Sequence, residues 1–176
     1  MTNQQLIIVG FMGSGKTTVA REVARRLKRA VIDLDDFITI SAGRSPAEII
    51  QQDGEPGFRE IETRWLDEVL QQNPAAIIAA GGGAWTTLQN RRLISNVEAR
   101  TVWLDAPFEL CWKRIQSNDA TRPLAPSMEA AERLYQTRLP VYELAELRIT
   151  IGEGDGVEEI AARIVSLVTQ SQNREP

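Results

Sequence analysis

Short, mostly apolar runs alternate along this chain with stretches in which apolar residues return every three or four positions. Leu6–Val9, Ala30–Leu34, Ala75–Ala80, Thr101–Leu104 and Leu147–Ile151 are runs of strand length. Apolar strands alternating with helices predict a parallel sheet covered on both faces. Thr17–Leu27 places Val19, Val23, Ala24 and Leu27 on one helical face. Ser45-Pro46 reads as an N-cap followed by proline at the first helical position, opening a helix to about Gln52. Asp53-Gly54 breaks it, and a longer helix is predicted over Pro56–Gln71. Further helices are predicted at Leu88–Ile94, Pro107–Gln116, Met128–Ala145 and Val157–Val168. Ser117–Ser127 is polar, carries Pro123 and Pro126, and reads as a mobile loop; Gln170–Pro176 reads as a frayed tail. Strands alternating with helices predict an α/β fold, a five-stranded parallel sheet flanked by helices.

Composition narrows the chemistry. The 176 residues suffice for one domain with a core, and no repeat or linker interrupts them. A formal charge of −4 argues against a nucleic-acid partner. Cys111, the one cysteine, has no partner for an internal disulfide, and a reducing, cytoplasmic compartment is expected. With no histidine, any general base must be a carboxylate, lysine or similar group. Met1–Gln5 lacks the basic and apolar regions of a signal peptide. The apolar stretch Ala75–Trp85 is broken by three glycines and is too short to span a bilayer, so no membrane partner is expected.

The segment after the first strand, Gly10-Phe-Met-Gly-Ser-Gly-Lys-Thr17, fits the pattern G-x-x-x-x-G-K-[S/T]. A phosphate needs several donors converging on a small volume. Glycines let the backbone curl its N–H groups inward, and the following helix presents its positive end. Lys16 adds a cation near the transferred phosphate, and the Thr17 hydroxyl suits a Mg²⁺ ligand position. A helix-capping glycine turn is the plain alternative. The pattern arises by chance in roughly 1% of chains this long, and the flanking strand and helix favour phosphate binding. Thr18 reads as a helix residue beside the loop.

Four further clusters bear on the reaction. In an extended segment Asp33 and Asp35 would face the same side, at the carboxyl edge of the sheet. One would hold Mg²⁺ through water and the other accept a proton from a hydroxyl; capping of the next helix is the alternative reading, and the better one for Asp36. Arg59 and Glu62 are neighbours on a helix, an arrangement that fixes a guanidinium fork for a carboxylate ligand or makes an ordinary surface ion pair. Gly81-Gly82-Gly83 permits close approach of a ligand or a flexible loop. Arg122 in the loop suits a lid over the γ-phosphate or a solvated surface position.

Taken in order, "GFMGSGKTT", "DLDD", "GEPGFREIE", "AAGGGAW", "TRPLA" and "YQTRLPVYE" resemble the shikimate kinase family across most of Leu6–Ile151. The resemblance implies a P-loop kinase of nucleoside-monophosphate-kinase-like fold, with substrate-binding helices at about 35–62 and a lid at about 117–127. It implies transfer of the ATP γ-phosphate to the 3-hydroxyl of shikimate in aromatic amino-acid biosynthesis, with Mg²⁺ as cofactor. By motif, Asp35, Arg59, Gly81, Gly82, Gly83 and Arg138 would bind shikimate. The two arginines would hold its carboxylate, and Asp35 would adjoin the accepting hydroxyl. Gly13, Ser14, Gly15, Lys16, Thr17 and Thr18 would bind ATP, with Arg114 near the adenine and Arg122 as lid arginine. Lys16, Asp35 and Arg122 would carry the chemistry, and Thr17 and Asp33 would serve the metal. A monomer is expected. Leu34, Ile50, Trp85 and the Ile151–Gly156 loop depart from the family's usual residues. Kinases of another small hydroxy acid such as gluconate, and non-catalytic ATP-binding relatives, are the competing readings.

Overall fold

In a computed structural model, residues 4–117 and 123–170 are described. The elements run β1 (Leu6–Val9), α1 (Lys16–Leu27), β2 (Val31–Asp33), α2 (Leu34–Ala42), α3 (Pro46–Gln72) and β3 (Ile77–Ala79). A 3-10 turn (Ala84–Thr86) leads to α4 (Leu88–Asn96), β4 (Arg100–Asp105), α5 (Phe108–Gln116), α6 (Met128–Tyr142), β5 (Leu147–Thr150) and α7 (Val157–Gln170). The five strands form one parallel sheet in the order β2-β3-β1-β4-β5.

The order explains where a ligand can sit. From β1 the chain builds β2 and β3 on one side, then returns to add β4 and β5 on the other. The carboxyl end of β1 is therefore a topological switch point, where the loops on either side diverge and leave a crevice. The segment 10–15 occupies that crevice. All four residues of β1 are buried, as their uniform apolarity requires at the centre of a doubly covered sheet. Helix α1 buries Val19, Ala20, Val23 and Ala24 and packs against α7. Arg100, at the start of β4, donates to Val168 O at 3.1 Å and to Glu146 Oε1 at 2.6 Å, tying α7 to the sheet.

Local chemistry sets the helix boundaries. Ser45 and Glu48 form a reciprocal capping box with Pro46 just inside α3, a start signal whose loss costs about 1 kcal/mol. The two predicted helices around Gly54 are one helix with a kink, Gly54 having φ 76° and ψ 171°. Pro56 follows two residues later, inside the first turn of the continuing segment, where its missing N–H costs least. That segment buries Phe58, Glu62 and Leu66.

One sequence expectation is corrected here. The second strand does not extend through Asp35: it ends at Asp33, and Leu34 begins α2. The cap is also neither Asp35 nor Asp36. Asp33 is the N-cap, its carboxylate accepting from the backbone N–H groups of Asp35 and Asp36 at 3.0 and 3.3 Å. Three apolar or acidic residues after a strand carry no periodicity that separates strand from helix; the cap bond decides it.

Candidate active site

The loop over 10–15 is shaped by backbone conformation. Gly10, Gly13 and Gly15 have φ of 145°, 79° and 95°, values that side-chain-bearing residues rarely adopt. A methyl group on Gly13 would lie 2.5 Å from the carbonyl oxygen of Cys111, so the loop rests directly on the backbone of α5. Gly15 is the N-cap of α1 with no side-chain cap bond, and no acidic residue occupies the first turn. The first N–H groups of α1 thus face the crevice uncapped by any side chain, a site for an anion. Lys16 Nζ donates to Phe11 O at 2.8 Å, bridging the two arms of the loop. Ser14 Oγ is buried without a hydrogen-bond partner among the described residues. Arg114 Nη1 donates to the carbonyls of Gly13 and Ser14 at 3.2 and 3.3 Å, which holds its guanidinium along the loop.

Beside the loop, Thr17 Oγ1 donates to Asp33 Oδ2 at 2.5 Å. A hydroxyl and a carboxylate oxygen side by side at a phosphate loop fit a hard cation that keeps water and phosphate oxygens in its shell. Among the described residues no group of three or more His, Cys, Asp or Glu side chains is placed to hold an ion unaided. Asp33 therefore does two jobs, capping α2 and accepting from Thr17.

The other side of the crevice is built from four separate segments: the start of α2, the kinked half of α3, the glycine turn after β3, and the end of α6. Arg59 Nη1 meets Glu62 Oε2 at 2.6 Å, and Nη2 meets Glu55 Oε1 at 3.0 Å. Glu62 is 1% exposed, so this is a buried pair and the surface alternative is excluded. Burial pushes the Glu62 carboxyl up; Arg59 opposes, Asp35 adds to the rise, and Arg138 opposes. For Arg59, burial pulls downward but is outweighed by Glu62 and Glu55, and the net shift is upward. The guanidinium keeps its charge and the glutamate carries the burden of burial.

The three glycines adjoin these side chains closely. A methyl on Gly81 would lie 2.8 Å from Asp35 Oδ1, one on Gly82 3.4 Å from Arg138 Nη1, and one on Gly83 2.1 Å from Arg59 Nη2. None of the three has positive φ. Their role is to leave space, and what approaches them is the protein's own acid and guanidinium groups. Arg138 is 5% exposed although charged.

Both halves line one cavity of about 440 Å³, which brings together Lys16, Asp33, Asp35, Arg59, Arg114 and Arg138. Gly13, Gly15, Thr17, Thr18 and Gly81–Gly83 also line it, as do Pro123 and Leu124 from the loop before α6. Arg122, expected as the lid arginine, lies outside the described residues, as do lid positions 118–121.

A family model described as shikimate kinase matches residues 12–169. The chain belongs to the shikimate kinase family. It is 40% identical over 162 residues to the shikimate kinase of Cereibacter sphaeroides, covering 90% of this chain and 79% of that protein. It is 36% identical over 166 residues to the shikimate kinase of Nostoc punctiforme, covering 93% of this chain and 90% of the other. Among solved structures, the shikimate kinase from Acinetobacter baumannii in complex with shikimate superposes with a TM-score of 0.87 at 33% identity, covering 96% of this chain and 94% of that one. The P-loop kinase fold anticipated from the motifs is thereby confirmed.

Two residues packed behind the cavity have contacts that the sequence does not announce. Tyr142 and Trp85 sit in quoted motifs but were given no role. Tyr142 follows Arg138 by four positions and so shares its helix face; that spacing was the available signal. No pattern in the sequence announces that Trp85 Nε1 donates to Val141 O at 2.8 Å, because the two residues are far apart in the chain.

Proposed function

We propose that the cavity transfers the γ-phosphate of ATP to the 3-hydroxyl of shikimate, giving shikimate 3-phosphate and ADP. The observation that carries this reading is the placing of two arginines, half-buried Arg59 and buried Arg138, in the same cavity as an uncapped helix N-terminus and its glycine loop. The cavity thereby has a cradle for polyphosphate at one end and paired guanidinium groups for a carboxylate at the other.

ATP phosphates lie on the N–H groups of the loop from Gly13 to Thr18, with Arg114 toward the base. Lys16 leaves the Phe11 carbonyl and follows the transferred phosphoryl group, whose spreading charge it stabilises. Arg59 and Arg138 hold the shikimate carboxylate, and Glu62 keeps the Arg59 fork in place. Asp35, beside Gly81, orients the accepting hydroxyl and takes its proton as the phosphoryl group arrives. Thr17 and Asp33 would hold Mg²⁺, which supplies charge neutralisation between the phosphate oxygens. Pro123 and Leu124 border the cavity, and a lid closing there would add Arg122, outside the described residues, as a second cation. Closure excludes water, the competing phosphoryl acceptor.

No helix among the described residues is long and apolar enough to cross a membrane, and the substrates proposed here are small molecules.

A coupled ADP-release assay with Mg-ATP and shikimate, quinate, gluconate or nucleoside monophosphates tests the reading. Turnover is expected with shikimate. ADP release at background level with shikimate, or a clear preference for gluconate, rejects it.

A further inference from the structure

We infer that Tyr142 is a positioning residue for the acceptor, holding Arg138 and the Gly82 carbonyl in one fixed relation. The inference rests on the reading that Arg138 receives the shikimate carboxylate. The Tyr142 side chain is 1% exposed. Its hydroxyl donates to the carbonyl of Gly82, and the Arg138 guanidinium lies near enough to act on the phenol. An arginine has only donors and the phenol's proton is directed at Gly82, so in the inferred arrangement the phenol oxygen accepts from Arg138. One hydroxyl thus joins the end of α6 to the glycine turn after β3.

The ring is clamped as well. It stacks on Trp103 of β4, with centroids 6.1 Å apart and planes 24° apart. Trp103 is itself buried in the sheet. One residue before Tyr142, Val141 O accepts from Trp85 Nε1 at 2.8 Å, a second link between the same two segments. Burial pushes the Tyr142 phenol up to about 12, with Arg138 opposing, so the hydroxyl keeps its proton across the working pH range.

The geometry gives Tyr142 a specific task. Arg138 is a long side chain with several rotatable bonds, and a buried one that is not oriented must be ordered when the acid arrives. A hydrogen bond from the guanidinium to a phenol that is held by a ring stack and by a carbonyl removes that freedom beforehand. Gly82 fixes the reverse relation: a methyl there would lie 3.4 Å from Arg138 Nη1 and 3.3 Å from Met12 N, so the turn, the arginine and the nucleotide loop are in mutual register.

Tyr142→Phe keeps the ring and its stack and removes only the hydroxyl. Steady-state kinetics should show KM for shikimate raised about tenfold, with KM for ATP and kcat within about twofold. The control arm is Arg138→Lys, alone and combined with Tyr142→Phe. If Tyr142 acts through Arg138, the double variant is no worse for shikimate than Arg138→Lys alone. A KM for shikimate unchanged in Tyr142→Phe, or raised in step with KM for ATP, overturns the positioning role. So does full additivity in the double variant. An Arg138→Lys variant with normal KM for shikimate removes the underlying assignment of Arg138 itself, which separates that failure from the failure of Tyr142.

Discussion

Two glycine clusters flank the same cavity and are glycine for different physical reasons. Gly10, Gly13 and Gly15 hold positive φ, and Gly13 lies against the backbone of Cys111. Gly81, Gly82 and Gly83 hold ordinary φ and lie against the ends of Asp35, Arg138 and Arg59. The first cluster shapes a surface of backbone donors, made locally, with the helix N-terminus beside it. The second gives three charged side chains from distant segments room to converge. On the proposed function, a nucleotide's phosphates, the same in every ATP-dependent reaction, would be met by backbone, and the particular acceptor by side chains whose lengths and charges set what shape of acid fits.

The largest expected effect tests the nucleotide half. Lys16→Met should lower kcat on the order of 10³-fold, by removing a cation that acts on charge developing at the transferred phosphoryl group. Turnover within a few-fold of normal contradicts that role. Gly13→Ala should come next: its methyl meets a carbonyl that cannot swing aside, in a conformation that disfavours it. Reduced Tm together with weakened ATP binding is expected, read by thermal unfolding and nucleotide titration; unchanged values in both break the contrast between the clusters.

Gly83→Ala sharpens the contrast from the other side. Its methyl would overlap the Arg59 guanidinium, the far end of a flexible side chain, which can turn away. KM for shikimate should rise by about 10- to 100-fold, with Tm and ATP binding close to normal. A variant that loses stability as Gly13→Ala does would mean that the two clusters serve the same purpose.

A smaller effect is expected from pH. Glu62 has its carboxyl raised by burial, against the pull of Arg59 and with the push of Asp35. The native state then binds that proton more tightly than the unfolded chain, so the stability due to Glu62 is lost as pH rises through its folded-state pKa. Acceptor binding follows the opposite sign, since protonation on the acid side removes the charge that holds Arg59. KM for shikimate should therefore rise on acidification at pH values above the ordinary glutamate range, and Glu62→Gln should flatten that rise. A wild-type profile flat in that region defeats the assignment. The smallest effect belongs to a control far from the site. Glu22, between Arg25 and Arg26, has its pKa lowered to about 2, first by its hydrogen bond to Arg25. Its contribution is present above about 4.5 and lost as pH falls toward about 2; being at the surface, it should barely move Tm. A Glu22→Gln variant with a marked acid-side difference in Tm would show that surface pairs matter more here than expected.

Legibility in the sequence followed the same division. The phosphate loop, its strand and its helix were readable because they follow one another directly in the chain, from Leu6 to Leu27, and the constraint is local. The Ser45 cap and the break at Gly54 were readable for that reason too. The acceptor residues were named through family resemblance; their own spacing left Arg59–Glu62 open to a surface pair and Gly81–Gly83 open to a flexible loop. Burial, which closes both questions, is a property of the packed molecule. Asp33 and Asp35 both line the cavity, but not by the expected extended geometry, since a cap bond places Asp35 in the first turn of α2. Arg122 and lid positions 118–121 lie outside the described residues.

By itself, the sequence determined the alternation of buried strands and helices and the loop of backbone donors, because hydrophobic period, glycine conformation and capping act over a few neighbouring residues. Only the tertiary structure decided that Arg59 and Arg138 converge, that glycines make room for them, and that Tyr142 joins α6 to the turn after β3. Those contacts link residues tens of positions apart, and they exist only once the parallel sheet has set the order of its strands.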